Sequence, residues 1–261
     1  MKICLIGYGK MGKMVEAAAL GRGHHITSII DPFAPGAVST AALFKAFPST
    51  AEEAGSPDLF IEFTGPETAP DNIKTAAALG KPVVSGSTGW YGRLAEVSAA
   101  VEKAGTALLW SSNFSLGVNL FYRIAVYAAR LADPFAEYDL GGLEIHHRKK
   151  ADSPSGTAKI LMEQVLAVMK RKNKVLWEDP CKPGGGISED AVHFTSLRHG
   201  SVPGTHSLFF DSPADTIEIT HTARGREGFA SGALTAAEWL VGAIGRRGIF
   251  TMEDVLKDML P

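Results

Sequence analysis

"KICLIGYGKMGKMVEAAALGRG", residues 2–23, decides how this chain is read. An apolar run from Ile3 to Ile6 meets glycines at Gly7, Gly9 and Gly12, and a helical pattern from Lys10 to Leu20 then stops at Gly21 or Gly23. The order is strand, glycine turn, helix. In a GxGxxG turn so placed, the first glycine makes the tight bend and the second lets a pyrophosphate approach the backbone. The third brings helix and strand together, and the phosphate meets the positive end of the helix dipole. Gly7, Tyr8, Gly9, Lys10, Met11 and Gly12 are therefore the first candidates for cofactor binding. The spacing also occurs in ordinary strand–helix turns, so its context matters.

That context comes from Asp31, which closes the next strand, "HITSIID", about 20 residues past the glycines, where a carboxylate can accept hydrogen bonds from ribose hydroxyls. Pro32 follows it and offers no cation to a 2'-phosphate, whereas Lys10 offers one, so NADH and NADPH are both expected cofactors. Further strands are read at 58–64, 82–86 and 107–112, with helices at 68–80 and 93–105 between them. Strands alternating with helices imply a doubly wound parallel sheet of Rossmann type. Gly86, Ser87 and Thr88 follow one of these strands and Ser111, Ser112, Asn113 and Phe114 end another, at the carboxyl edge where ligands lie in such sheets. Taken singly, each is also an ordinary turn.

Beyond Asn113 the rhythm changes. A helical pattern over 116–132 leads into a strand at 138–147 and a helix read over 156–172, and after a Gly/Pro-rich loop at 178–190 come strands at 191–198, 205–211 and 215–222 without helices between them. This predicts a second α+β domain with a mixed or antiparallel sheet. The tail, 228–260, reads as helix whose Ala-rich first part packs back on the parallel sheet. The expected division is residues 1–114 completed by 228–261 for the dinucleotide, and 115–227 for substrate and oligomerisation.

Bulk properties exclude some classes. With 26 Lys+Arg against 28 Asp+Glu in 261 residues, the net charge of -2 gives no field for nucleic acid or an acidic membrane surface. No stretch approaches the ~18 apolar residues of a membrane span. Neither Cys4 nor Cys181 has a partner at metal or redox spacing, which suits a reducing, cytoplasmic setting. His146, His147, His193, His199, His206 and His221 show no i,i+4 ligand pair, so no metal is expected.

The second candidate site is "EIHHRKKADSPSGTAK", residues 144–159. Continued as a strand, it puts Glu144, His146, Arg148 and Lys150 on one face and Ile145, His147 and Lys149 on the other. Asp152 or Ser153 can cap the following helix with Pro154 at its first position, leaving Ser155, Gly156 and Thr157 in the first turn. A glycine there costs about 1 kcal/mol against alanine, which suggests close access to backbone, and a carboxylate is the natural guest. Paired histidines and lysine runs are also common on plain surfaces.

The motifs "GYGKMG", "EFTGPE", "VVSGSTGW", "SSNFSLGVN", "EIHHRKKADSPSGTA" and "EITHTARGREGFASGA", in this order, resemble the 4-hydroxy-tetrahydrodipicolinate (dihydrodipicolinate) reductase family over essentially the whole chain. The resemblance implies NAD(P)H-dependent reduction of a cyclic imine dicarboxylate in the diaminopimelate route to lysine, by a homotetramer. It implies His146 as proton donor or acceptor and Lys150 as proton donor, with His147, Ser155, Gly156 and Thr157 binding substrate. It further implies that the glycine turn, Asp31, Gly86 to Thr88 and Ser111 to Phe114 contact the cofactor, with Arg226 and Phe229 near the nicotinamide. Pro32 departs from the acidic–basic pair that the family often carries after the second strand. An aspartate-semialdehyde or homoserine dehydrogenase relative remains an alternative, the former needing a cysteine nucleophile, as does a dinucleotide-sensing protein that is not an enzyme.

Overall fold

The structure is a computed structural model that describes residues 1–34, 36, 41–177, 186–242 and 245–260. Cys181 and most of the Gly/Pro-rich loop lie outside them. The chain forms two compact units, Met1–Ser115 with Arg226–Pro261, and Leu116–Gly225.

The first unit begins with β1 (Lys2–Ile6), α1 (Lys10–Gly21), β2 (His25–Ile30), β3 (Ala42–Phe44) and β4 (Leu59–Glu62). It continues through α2 (Ala69–Ala78), β5 (Val83–Ser85), α3 (Leu94–Lys103) and β6 (Ala107–Trp110). The second unit holds α4 (Leu116–Ala132), β7 (Asp139–His146), α5 (Gly156–Leu166), β8 (Lys174–Leu176), β9 (Ala191–Arg198), β10 (Thr205–Asp211) and β11 (Thr216–Thr222). The chain then returns to the first unit as α6 (Glu227–Gly242), β12 (Gly248–Thr251) and α7 (Met252–Met259).

The first sheet runs β12-β6-β5-β4-β1-β2-β3, with every pairing parallel. Ile3 to Ile6 and all of β4 are buried because helices cover both faces, the reason these strands are written as continuous apolar runs. Strand order reverses between β1 and β4, so the glycine turn after β1 sits at the switch point, where such sheets take ligands. α6 packs against α1 and β4–β6, as its alanines foretell, with Ala230, Ala233, Ala236 and Ala237 buried.

The second sheet is mixed, in the order β11-β10-β7-β9-β8. β10 is antiparallel to β7 and β11, and β9 is parallel to β7 and β8. One face packs on α4 and α5, joining Leu140, Phe194, Leu208 and Phe210 to Phe121, Ala125, Leu161, Met162 and Val165. Along β7, Leu140, Gly142, Glu144 and His146 point to that buried face. A Cβ on Gly142 would lie 2.2 Å from the Phe194 ring, so the glycine is what admits the phenylalanine. The buried face thus begins apolar and ends on two titratable side chains.

Several elements differ from the sequence reading. β7 stops at His146, and Lys150 N–H closes a turn on the His147 carbonyl at 3.0 Å, so Arg148 and Lys150 do not continue the strand face. The helix expected to reach 172 ends at Leu166, because the Asp133 carboxylate accepts from Lys170 N–H (2.9 Å) and Arg171 N–H (3.2 Å) and turns the chain into β8. The tail is interrupted by β12, which adds to the sheet edge beside β6. Thr251 and Asp254 then form a capping box that starts α7. β3, three residues long, adds the opposite edge beside β2.

Candidate functional site

In the first unit the site is shaped by absent side chains. A Cβ on Gly7 (φ +88°) would lie 2.4 Å from the Phe63 carbonyl oxygen, and one on Gly12 would lie 2.2 Å from the Gly7 oxygen. Both are closed positions. Gly9, the residue before α1, has nothing within 4 Å of a built Cβ, so its backbone faces open space at the helix N-terminus. No acidic residue occupies the first turn of α1, and Lys10 is exposed beside it. The residues fit a pyrophosphate.

Asp31 is fixed on three sides. Its Oδ2 accepts from Tyr8 N–H at 2.6 Å, and its Oδ1 accepts from Phe33 N–H at 2.7 Å and Ala34 N–H at 2.9 Å. A cavity of about 540 Å³ opens beside it, lined by Gly7, Gly9, Asp31, Phe33, Lys45, Phe47 and Phe63 among others, and Phe33 is 90 % exposed. A second cavity of about 440 Å³ shares Gly9, Phe63 and Thr64 and is lined by Lys10, Gly86, Ser87 and Thr88. Together they give an elongated, mostly apolar trough with the glycine turn in its middle.

Two residues that sequence reasoning missed hold this trough together. Glu62, wholly buried at the end of β4, accepts from Thr64 N–H (2.7 Å), Thr64 Oγ1 (2.5 Å), Ser87 Oγ (2.7 Å) and Ser85 Oγ (2.5 Å). Phe63 meets Phe114 edge-on at 6.3 Å, and a Cβ on Gly86 would collide with its ring at 2.0 Å. Ser111 Oγ donates to the Asn113 carbonyl at 2.9 Å, and Asn113 Oδ1 accepts from Ser115 N–H at 2.9 Å, so this turn is braced internally. Ser112 belongs to the same turn, and Arg226 is exposed just before α6. Lys45, outside the sequence-predicted set, donates to the Ala34 carbonyl at 2.8 Å along the cavity wall.

In the second unit the site is crowded with side chains. Glu144 is wholly buried; its Oε1 accepts from Ser155 N–H (3.0 Å), Ser196 Oγ (2.8 Å) and Arg198 Nη2 (2.6 Å). Its Oε2 lies 3.6 Å from His146 Nδ1 and 3.4 Å from His206 Nε2. Burial opposes the charge on Glu144, but the bonds from His206, Ser155, Arg198 and Ser196 outweigh it and hold the carboxyl well below its ordinary range. Burial pushes His146 the other way, down to about 4, with Glu144 only partly compensating and the charges of His206, Lys150 and Arg198 adding to the depression. At neutral pH the imidazole is therefore uncharged.

Ser155, not Asp152 or Ser153, caps α5. Its backbone is extended and its Oγ accepts from Ala158 N–H at 3.1 Å. The same hydroxyl lies 3.2 Å from His206 Nε2, and with its N–H held by Glu144 this nearly inaccessible residue has no polar group free for a ligand. Gly156 is exposed and Thr157 half-buried in the first turn. Lys150 pairs with Asp152 at 2.8 Å, and that pairing lowers the Asp152 carboxyl, with smaller help from its own backbone N–H and that of Gly156. His147 is half-buried in the turn after β7. Ligand atoms of Glu144, His146 and His206 lie within 4.8 Å of one another, a grouping that linear spacing could not reveal because His206 arrives on another strand. Cys4 is buried and its thiol pushed up to about 12, which gives no thiolate for a cysteine-dependent dehydrogenase.

A glycine turn at the switch point with a carboxylate at the end of β2, carried in one chain with a unit that buries a neutral imidazole near a lysine, fits the class of two-unit dinucleotide-dependent oxidoreductases. The sequence comparisons narrow the class. Residues 1–114 match the model "Dihydrodipicolinate reductase, N-terminus" and residues 117–256 match "Dihydrodipicolinate reductase, C-terminus". The chain belongs to the dihydrodipicolinate reductase family. It is 38% identical over 262 residues to the 4-hydroxy-tetrahydrodipicolinate reductase of Christiangramia forsetii, covering 99% of each chain. To that of Archaeoglobus fulgidus it is 35% identical over 266 residues, covering 98% of this chain and 100% of the relative. The fold is similar to the dipicolinate-bound dihydrodipicolinate reductase from Paenisporosarcina sp. TG-14, with a TM-score of 0.78 at 20% identity over 100% of this chain and 99% of that one. As a member of this family the chain is an NAD(P)H-dependent oxidoreductase that reduces the dihydrodipicolinate intermediate of lysine biosynthesis.

Proposed function

We propose that the trough of the first unit binds either NADH or NADPH, and that Lys150 and His146 manage the proton of the reduction. The observation that carries this reading is the end of β7, where an uncharged buried imidazole adjoins a lysine and the first turn of α5. A bound nicotinamide supplies the hydride. Phe33 offers an open ring face to the adenine, Asp31 accepts from the ribose and Gly9 receives the pyrophosphate, while Gly86, Ser87, Thr88 and the Ser111 to Phe114 turn border the other end with Arg226. Lys10 and Lys45 supply cations where Pro32 supplies none, which supports use of both cofactors.

The substrate is a cyclic imine carrying two carboxylates. The N–H groups of Gly156 and Thr157, the Thr157 hydroxyl and His147 are placed to receive one carboxylate at the positive end of α5, and Ser155 contributes by setting that turn rather than by touching the ligand. Adding a hydride to the ring leaves an electron pair that needs one proton, which Lys150 donates once Asp152 releases it. His146, with a bare nitrogen at neutral pH, is suited to take a proton from solvent water and pass it on to the Lys150 amine, or to take one from the ring carbon if water leaves a hydroxylated ring.

Leu143, Ile145, Leu197 and Phe209 share the sheet face turned away from α4 and α5, and Leu197 is 47 % exposed. This supports a homotetramer, for which light scattering should give four times 27.7 kDa. No described helix is long and apolar enough to cross a membrane. The composition supports a cytoplasmic setting, with no nucleic-acid partner.

The reaction is tested by following absorbance of NADH, and separately NADPH, with substrate made in situ from pyruvate and aspartate semialdehyde by the preceding synthase. Synthase-dependent oxidation supports the reading; none with either cofactor, given folded protein and confirmed substrate, removes it.

A further inference from the structure

Glu144 Oε2 and His146 Nδ1 are both fully buried and neither has a hydrogen-bond partner within ordinary distance. His206 Nε2 also approaches Oε2, at 3.4 Å, but it is already within hydrogen-bond distance of Ser155 Oγ at 3.2 Å, whereas His146 Nδ1, 3.6 Å from Oε2, is buried with no partner other than this carboxylate. A metal ion would also satisfy them, with His206 as third ligand. The charge count opposes that, because the Arg198 guanidinium already sits 2.6 Å from Oε1 and neutralises the carboxylate. What the pair lacks is a proton between them and a few tenths of an ångström.

We infer that Glu144 is a positioning residue which accepts the Nδ1 proton of His146, fixing the tautomer whose bare Nε2 faces the substrate. The other side of the ring fits this assignment. A Cβ on Gly204 (φ +155°) would stand 2.9 Å from Nε2, so only a glycine there admits the ring in this orientation. Glu144 is itself held rigidly, since three donors from β9 and the α5 cap fix Oε1 and leave Oε2 aimed at the imidazoles. The same carboxylate thus sets the proton-handling ring and the turn proposed to seat the substrate's carboxylate.

The groups facing His146 are Glu144 on its own strand, His206 on β10, Arg198 on β9 and Lys150 in the following turn, and beyond them His221 on β11 is lowered by burial and by the charge of His206. Glu144 alone among these favours the imidazolium. Arrival of a dianion would favour it further, so the ring can accept a proton during turnover without carrying one at rest.

The test is Glu144→Gln. Oε1 must remain an acceptor for Ser155, Ser196 and Arg198, so the amide NH₂ takes the place of Oε2 and presents a hydrogen to His146 Nδ1. That forces the proton to Nε2, the wrong tautomer. Because the inference rests on the proposed proton role of His146, the two are read separately. Two-bond ¹⁵N–¹H spectra of histidine-labelled protein, with His146 assigned from His146→Gln, report the tautomer without any activity. We expect Nδ1–H in the wild type and Nε2–H in Glu144→Gln, with kcat lower by on the order of 100-fold, KM changed less than about threefold, the acidic limb of the pH profile displaced, and partial recovery in Glu144→Asp. Nε2–H in the wild type overturns the inference even if the variant fails to fold, and so does a variant that keeps its kcat and pH profile. Full turnover in His146→Ala would instead sink the proton role while leaving the tautomer result standing.

Discussion

The glycine turn of the first unit and the histidine end of β7 are built by opposite means. The first works by omission, since Gly7 and Gly12 are closed, Gly9 is open, and what is left exposed is backbone at the start of a helix. The second works by accumulation, with side chains from three strands and the backbone N–H of a helix cap gathered round one carboxylate. A site made of omitted side chains tolerates no addition but needs no partner. A site made of gathered side chains fails when any one partner is removed, because the others are left buried and unpaired.

The sharpest way to break the comparison is at Lys150. Lys150→Ala should lower kcat by about 100-fold or more with little change in cofactor Kd, measured by fluorescence titration with NADH. Unchanged turnover would take the lysine out of the chemistry. Next are the glycines, where Gly12→Ala forces a Cβ into the Gly7 carbonyl and should cost about 2 kcal/mol of stability, whereas Gly9→Ala should leave the melting temperature alone and weaken cofactor binding about tenfold. Equal melting losses in both would mean the open space at Gly9 is not functional. Lys45→Ala should raise KM for NADPH about tenfold and leave that for NADH unchanged; equal effects would make Lys45 a wall rather than a phosphate reader.

A smaller effect concerns pH. Since burial pushes His146 from an ordinary 6.5 down to about 4, the unfolded chain binds a proton where the folded one does not. The stability tied to this neutral imidazole is complete above about pH 6.5 and is lost as pH falls from there towards 4. Melting curves across that window should fall for the wild type and fall less for His146→Gln. Smallest of all, Asp152→Ala should lower substrate KM about threefold by releasing Lys150, whose exposed ion pair is worth under about 1 kcal/mol.

The same contrast explains what the sequence shows. The cradle is local, so Gly7, Gly9 and Gly12 with Asp31 announce it within about thirty residues, and the parallel sheet follows from the alternation of elements. Glu62 and Phe63 were invisible because their meaning depends on Ser85, Ser87, Gly86 and Phe114, which other strands bring to them. In the second unit the structure gathers Glu144, His146 and Ser155 of the motif, but β7 ends at His146 and not at Lys150, and Ser155 caps α5 in place of Asp152 or Ser153. Period-two alternation has no way to announce a turn, and the demand of Glu144 for the Ser155 N–H appears only once the strand and the helix are folded together. β12 and β3 escaped because three or four residues at a sheet edge carry too little pattern.

Asp152 has a consequence for which molecules the enzyme admits. It is a carboxylate tethered two residues from Lys150, already engaged with that ammonium and with the Gly156 N–H. A tethered group competes at an effective concentration of about millimolar or more, so a free acid with one carboxylate merely trades places with it and gains almost nothing. A rigid ligand with a second carboxylate gains a further contact that Asp152 has no means to match. If Lys150 meets the substrate as proposed, the loop carries a resident competitor, a threshold that sorts acids by their number of charges before their shape is read.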